Sequence, residues 1–173
     1  TPDAAPVTHP LPAAESGNGT LTFRADGLTV TLADTLCHDA MTGMPYPVTA
    51  TLTRDTALTG CGGDPATLLA GAWSATELAG RPLRGNATAT LTFADGKITG
   101  QACNRFFGTY RITGEGIALG NAAATRMACP PPQMEAETAL FAALSSATRF
   151  DIDDAGQLLL LAPDGAPLLK ASR

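Results

Sequence analysis

Gly100-Gln101-Ala102-Cys103-Asn104-Arg105-Phe106-Phe107-Gly108-Thr109-Tyr110 organises the chain. A cysteine stands beside an asparagine and an arginine, with glycines on either side. Thr125-Arg126-Met127-Ala128-Cys129 follows, just before Pro130-Pro131-Pro132. Three prolines cannot continue a strand interior, but they suit the first turn of a helix. Cys103 and Cys129 are read as one disulfide that pins the loop to the base of that helix.

Cys37 and Cys61 make the second pair. Four cysteines allow three connectivities, and the sequence alone does not choose among them. Sequential pairing is favoured because each pair falls inside one expected unit. Each bridge closes a loop of a few tens of residues, a stabilisation of about 3 kcal/mol through the unfolded state. Paired cysteines, few lysines and abundant Thr, Ala and Gly suit an exported protein.

Around the central stretch the pattern is strand-rich. Trp73 to Leu78 reads as a strand. Ala89, Leu91 and Phe93 face inward, with Thr88, Thr90 and Thr92 outward. Asp95-Gly96 turns the chain and Lys97 to Thr99 returns. Phe107 to Thr113, Ile117 to Leu119 and Ala122 to Met127 are further strands. Leu140, Phe141, Leu144 and Ala147 recur at helical spacing, so one amphipathic helix covers the sheet or plugs a barrel mouth. Glu135 and Glu137 are read as lying near its positive end. Phe150 to Ile152, Gln157 to Ala162 and Pro167 to Ala171 complete the set. The four leucines Leu158 to Leu161 suggest burial on both faces.

Thr1 to Gly19 is rich in Pro, Ala, Ser and Gly and reads as a flexible tether (1–19). A start at Thr1 without methionine suggests that a signal, and a lipid-anchored cysteine, are missing from this sequence. Residues 20–66 read as a small disulfide-bonded β module. Leu21 and Phe23 lead to the Asp26-Gly27 turn, and Leu28, Val30 and Leu32 point one way while Thr29 and Thr31 point the other. Val48 to Leu52 alternates again. The expected fold is α+β, mainly antiparallel β: a barrel-like sheet with one amphipathic helix at 67–173, and the small N-terminal unit packed against it.

Composition excludes some functions. The 173 residues carry a formal net charge of −5 and only 5% aromatics. No run of Lys or Arg is present, which argues against nucleic acid and anionic membrane surfaces. No apolar run approaches the roughly 20 residues of a membrane-spanning helix.

Two resemblances add to this. Cys37-His38-Asp39-Ala40-Met41-Thr42-Gly43-Met44-Pro45-Tyr46-Pro47, followed by Gly60-Cys61-Gly62-Gly63-Asp64-Pro65, resembles a module of bacterial envelope proteins, often predicted lipoproteins. Those modules usually carry an earlier half with further strands, which is not found here. Residues 68 to 173 resemble the META domain, the family of the HslJ-like heat-shock-associated proteins. Trp73, Leu78-Ala79-Gly80, Leu91-Thr92-Phe93, Gly100, Cys103-Asn104-Arg105-Phe106, Gly108-x-Tyr110, Thr125-x-Met127-Ala128-Cys129, Glu137 and Leu158 to Leu161 carry the match. Ala102 departs from a common glycine, so the loop is expected to bend less. The resemblance implies an antiparallel barrel-like sheet with a single helix and a bacterial envelope location. Related folds include secretin-pilot lipoproteins, which bind a partner segment or lipid.

Chemistry is sparse. A cysteine nucleophile needs a neighbouring base, and the only histidines are His9, in the tether, and His38. Asp153-Asp154 sits in a turn. No catalytic residue, cofactor or metal is assigned, and the protein is read as a non-enzyme. Cys37, His38, Asp39, Met41, Met44 and Cys61 offer soft ligands for copper, with a disulfide and core methionines as the other reading. Arg105 can bind a carboxylate or phosphate in a fork, or pair with Asp151 or Glu137; Asn104 can satisfy backbone groups. Asn104, Arg105 and Tyr110 are the candidate ligand-binding residues. The expected role is a periplasmic or outer-membrane-associated protein that binds an envelope protein, peptide or lipid and supports stress tolerance. Alternatives are an inhibitor of a lysozyme or peptidase, and a metal-handling protein.

Overall fold

The computed structural model describes Pro10 and residues 12–173. Most of the expected tether, with His9, lies outside these residues. The described part of the tether is not all irregular: Glu15–Gly17 (β1) forms an edge strand on β2 (Thr20–Ala25), Ser16 facing Leu21. The chain divides into two compact units. One holds Tyr46–Gly63 and the residues up to Asp39; the other holds Ala40–Pro45 and Asp64–Arg173.

The first unit is a five-stranded antiparallel sheet in the order β1, β2, β3 (Leu28–Ala33), β6 (Val48–Thr53) and β7 (Ala57–Gly62). Cys37–His38 (β4) and Pro45–Tyr46 (β5) are two-residue strands between β3 and β6. The β2–β3 hairpin turns at Asp26-Gly27, both with positive φ (46° and 77°). Register sorts the side chains by type. Phe23 faces Val30 and Val30 faces Leu52, whereas Thr31 faces both Thr22 and Thr51. One face is apolar and the other is lined with threonine, as strand alternation requires. Cys37 and Cys61 are bonded, as expected. The sequence reading missed β7, because its glycines hide the alternation. The short loop Ala40–Pro45 departs from the 20–66 boundary: it belongs to the second unit, where Arg149 Nη2 donates to Thr42 O (3.0 Å) and Met44 is buried.

The second unit is the barrel. Ala66–Leu69 (α1), a short helix beyond the single one expected, precedes β8 (Gly71–Leu78) and β9 (Arg81–Pro82). Next come β10 (Thr90–Ala94), β11 (Lys97–Gln101), β12 (Arg105–Ile112), β13 (Ile117–Leu119) and β14 (Ala123–Ala124). The long helix α2 (Pro131–Ser146) leads to β15 (Arg149–Ile152), β16 (Leu158–Leu161) and β17 (Pro167–Ser172). The strand path is β13-β12-β11-β10-β8-β17-β16-β15, with β14 on β12 and β9 on β8. Its two ends meet where Ile117 N–H donates to Thr148 O (2.9 Å). The sheet is thus nearly closed, and few edges remain unpaired.

The interior is filled. Leu91 and Phe93 from β10, Leu158 and Leu160 from β16, and Leu140 from α2 have no exposed surface. Leu159 and Leu161 are only half-buried, so β16 is buried on one face and not on two. Helix α2 buries Ala136, Leu140, Ala143 and Leu144 and packs on β8, β16 and β17. Phe141 meets Phe106 edge-on, with ring centroids 5.5 Å apart. Glu135 and Glu137 fall beyond the first turn, which holds no acidic residue. Trp73 joins the ends of the unit: its Nε1 donates to Leu69 O (2.7 Å), and the Arg173 guanidinium stacks on its ring at 4.5 Å.

Gly100 is demanded by close packing. A Cβ there would collide with Thr90 O and lie 2.7 Å from the Phe106 ring. Gly114, in the β12–β13 turn, has open space around it. Gly100→Ala should therefore cost about 3 kcal/mol, and Gly114→Ala less than about 1 kcal/mol, in urea unfolding. Equal effects would show that the β10–β12 packing is loose.

Candidate functional site

Strand β12 and its entry loop carry all three candidate residues, but strand alternation sends them to different sides. Even-numbered residues point in: Asn104, Phe106 and Tyr110 are buried. Odd-numbered residues point out: Arg105, Phe107, Thr109 and Arg111 are exposed. Asn104, Arg105 and Tyr110 do not form one site.

Asn104 is a structural hub. It is 3% exposed and is the one buried polar or charged residue among those described. Its Nδ2 donates to Glu137 Oε1 (3.0 Å) and Met127 O (3.2 Å). Its Oδ1 accepts from Thr125 Oγ1 (2.9 Å) and Met127 N–H (2.7 Å). Its backbone N–H donates to Glu137 Oε2, and its carbonyl accepts from Ala102 N–H (3.1 Å). An asparagine side chain offers two donors and two acceptor sites, and all are used within the fold. Cys103 and Cys129 are bonded beside it. The disulfide and the Asn104–Glu137 pair together tie the β11–β12 loop, the segment before α2 and α2 itself. Glu137 therefore serves the loop and does not serve its own helix end, and its bonds to Asn104 replace the expected pairing with Arg105.

Tyr110 is also structural. Its ring meets Phe93 edge-on at 5.2 Å. Burial pushes its phenol above the ordinary value; a hydrogen bond at the Gly96 backbone opposes this, and the charges of Asp64 and Asp95 add to the rise.

The outer face is different. Register sets Lys97 opposite Thr109, Thr99 opposite Phe107 and Gln101 opposite Arg105. The exposed positions of β11 and β12 are thus Lys97, Thr99, Gln101, Arg105, Phe107, Thr109 and Arg111, with no carboxylate. Phe107 is 65% exposed and lines a cavity of about 250 Å³ with Lys97, Thr99 and Asn121. Among the described residues, Lys97, Arg105 and Arg111 make no ion pair. Phe107 and Arg111 were not among the candidates. The alternation in Arg105-Phe106-Phe107-Gly108-Thr109-Tyr110-Arg111 was the signal that could have found them.

Other candidates have structural roles. Cys37 and Cys61 share a disulfide, so the proposed soft-metal set has no thiolate to offer. Asp153 Oδ1 accepts from Ala155 and Gln157 N–H and holds the β15–β16 turn, while Lys170 lies 3.2 Å from its other oxygen. These contacts, the Gln157 bond first, hold its carboxyl below the ordinary value.

Residues 66–173 match the META domain. The chain belongs to the META domain family. The META-type fold recurs in an NMR structure of a protein from Burkholderia xenovorans. That protein is 23% identical, with a TM-score of 0.51, over 70% of this chain and 97% of that one. A second NMR structure is 23% identical, with a TM-score of 0.51, over 64% of this chain and 95% of that one. At this identity the likeness is one of fold alone. None of the curated proteins compared with the chain matches it.

Two outcomes test the assignment of Asn104 and Tyr110 to the scaffold. Asn104→Asp loses both side-chain donors and sets a carboxylate against Glu137; it should lower stability by about 3 kcal/mol in urea unfolding. Adding Glu137→Gln to Asn104→Asp should recover part of that loss. Tyr110 has a raised pKa in the folded state, so its contribution is complete below pH 10.0, the ordinary tyrosine value, and is lost as pH rises through the higher folded value. Between about pH 9 and pH 11 the melting temperature of Tyr110→Phe should fall less than that of the parent.

Proposed function

We propose that this META domain protein is a non-enzymatic, exported binding module. On this reading it engages an envelope protein, peptide or lipid through the outer face of β11 and β12 and supports envelope stress tolerance. One observation carries the proposal: an exposed phenylalanine shares one sheet face with three cations that have no ion-pair partners among the described residues, in a chain of net charge −5. Aromatic side chains supply apolar contact at low entropic cost, and arginine forks engage carboxylates and phosphates. The partner is therefore expected to be acidic and to offer an apolar group beside its charge.

Two disulfides support export, since such bonds persist in oxidising compartments. No helix among the described residues is long and apolar enough to cross a membrane. The filled barrel moves binding from the interior to the surface. An inhibitor would need a loop that reaches into an active site, and the disulfide-fixed loop buries Ala102, Cys103 and Asn104. The metal-handling reading loses its thiolates to the Cys37–Cys61 bond.

A photo-crosslinking residue at position 107, used in living cells, tests the face directly. Adducts should form there and should weaken with Arg105→Ala, while the melting temperature of Arg105→Ala stays within about 1 °C of the parent. Adducts that persist after Arg105→Ala, or an equal loss of stability and crosslinking, would contradict the assignment.

A further inference from the structure

A second concavity lies away from β12, on the other flank of α2. β8 ends at Leu78, where Ala79 N–H donates to Leu168 O (2.8 Å). Ala79 and Gly80 then take positive φ (49° and 70°), and β9 folds back on β8 with Arg81 opposite Leu78. The loop that follows is tied to α2 by a paired amide contact. Thr88 N–H donates to Gln133 Oε1 (3.0 Å), and Gln133 Nε2 donates to Thr88 O (2.6 Å). This clamp holds the loop beside the helix but does not close the gap between them.

The gap is a groove of about 320 Å³. Leu78 and Pro82 line the strand side, and Ala136 and Ala139 line the helix side. It exists because α2 presents alanines where larger side chains would fill the space. Arg81 and Arg84 also line the groove, and both are exposed. Among the described residues, neither makes an ion pair. Glu135 lies on the helix side, so the groove carries two positive groups against one negative.

We propose that this groove binds a short apolar chain ending in a carboxylate, with the apolar part against Ala136 and Ala139 and the carboxylate on Arg81 and Arg84. Arginine presents donors in a fork that matches a carboxylate, and such charge-assisted bonds are the stronger kind. The volume is at the small end of ligand pockets, roughly 300 to 1,000 Å³, so it suits one chain and not two. Two sources share this chemistry: a single-chain fatty acid, and the C-terminus of a peptide whose last residue is apolar. The site is independent of the Arg105–Phe107 face.

Calorimetric titration of the intact protein with decanoate, decanol, and a pentapeptide ending in leucine, as free acid and as amide, tests it. Saturable binding of decanoate or the free-acid peptide is expected, with decanol or the amide at least about tenfold weaker. The tighter of the two acids identifies the source. Arg81→Gln with Arg84→Gln should weaken that acid about tenfold, and Glu135→Gln should tighten it about threefold. Ala139→Leu should fill the groove and block binding with an unchanged melting temperature, and Arg105→Ala should have no effect. Equal binding of acid and neutral analogue, binding that survives Ala139→Leu, or no saturation by either acid would overturn the proposal.

Discussion

A buried asparagine with every polar atom paired is the constraint on which the barrel unit depends. Burying an amide without partners costs several kcal/mol, so Asn104 is stable only where Glu137, Thr125 and Met127 all reach it. These partners come from the segment before α2 and from α2 itself, far along the chain. The neighbouring Cys103–Cys129 bond limits how far that segment can move in the unfolded chain. Covalent and polar restraints therefore act at one point, where the sheet hands over to the helix.

From this point the orientation of β12 follows. With Asn104 fixed inward, Arg105 must point out, Phe106 in and Phe107 out. Phe106 then meets Phe141 of α2 and crowds Gly100, which explains the glycine. The same alternation that fills the barrel with Phe106 and Tyr110 sets out Arg105, Phe107 and Arg111 on a surface with no carboxylate. A filled core and an exposed cationic, aromatic strip are two consequences of one register.

The fold was largely legible because its signals are local. Turn dipeptides such as Asp26-Gly27 and Asp95-Gly96, threonine–apolar alternation in β3 and β10, and prolines before α2 each act within a few residues. The cysteines are 24 and 26 residues apart, and their sequential pairing was favoured only because each pair falls inside one unit. β7 was not legible, because Gly60 and Gly62 carry no side chain to alternate. Glu137 was assigned to its helix end because its partner, Asn104, is far away in sequence. The candidate residues were less legible than the strands. Asn104, Arg105 and Tyr110 lie close together in the chain, although period-two geometry divides them. Asn104 was chemically distinctive because it is a buried hub, and nothing local separates a residue needed for packing from one offered to a partner.

Amide hydrogen exchange measures the central restraint most directly. If Asn104 anchors the barrel, its backbone N–H and side-chain Nδ2 protons should exchange only through global unfolding, together with the core amides of β10 and β12. Exchange of these Asn104 protons within minutes, while the core amides of β10 and β12 stay protected, would show that Asn104 does not anchor the barrel.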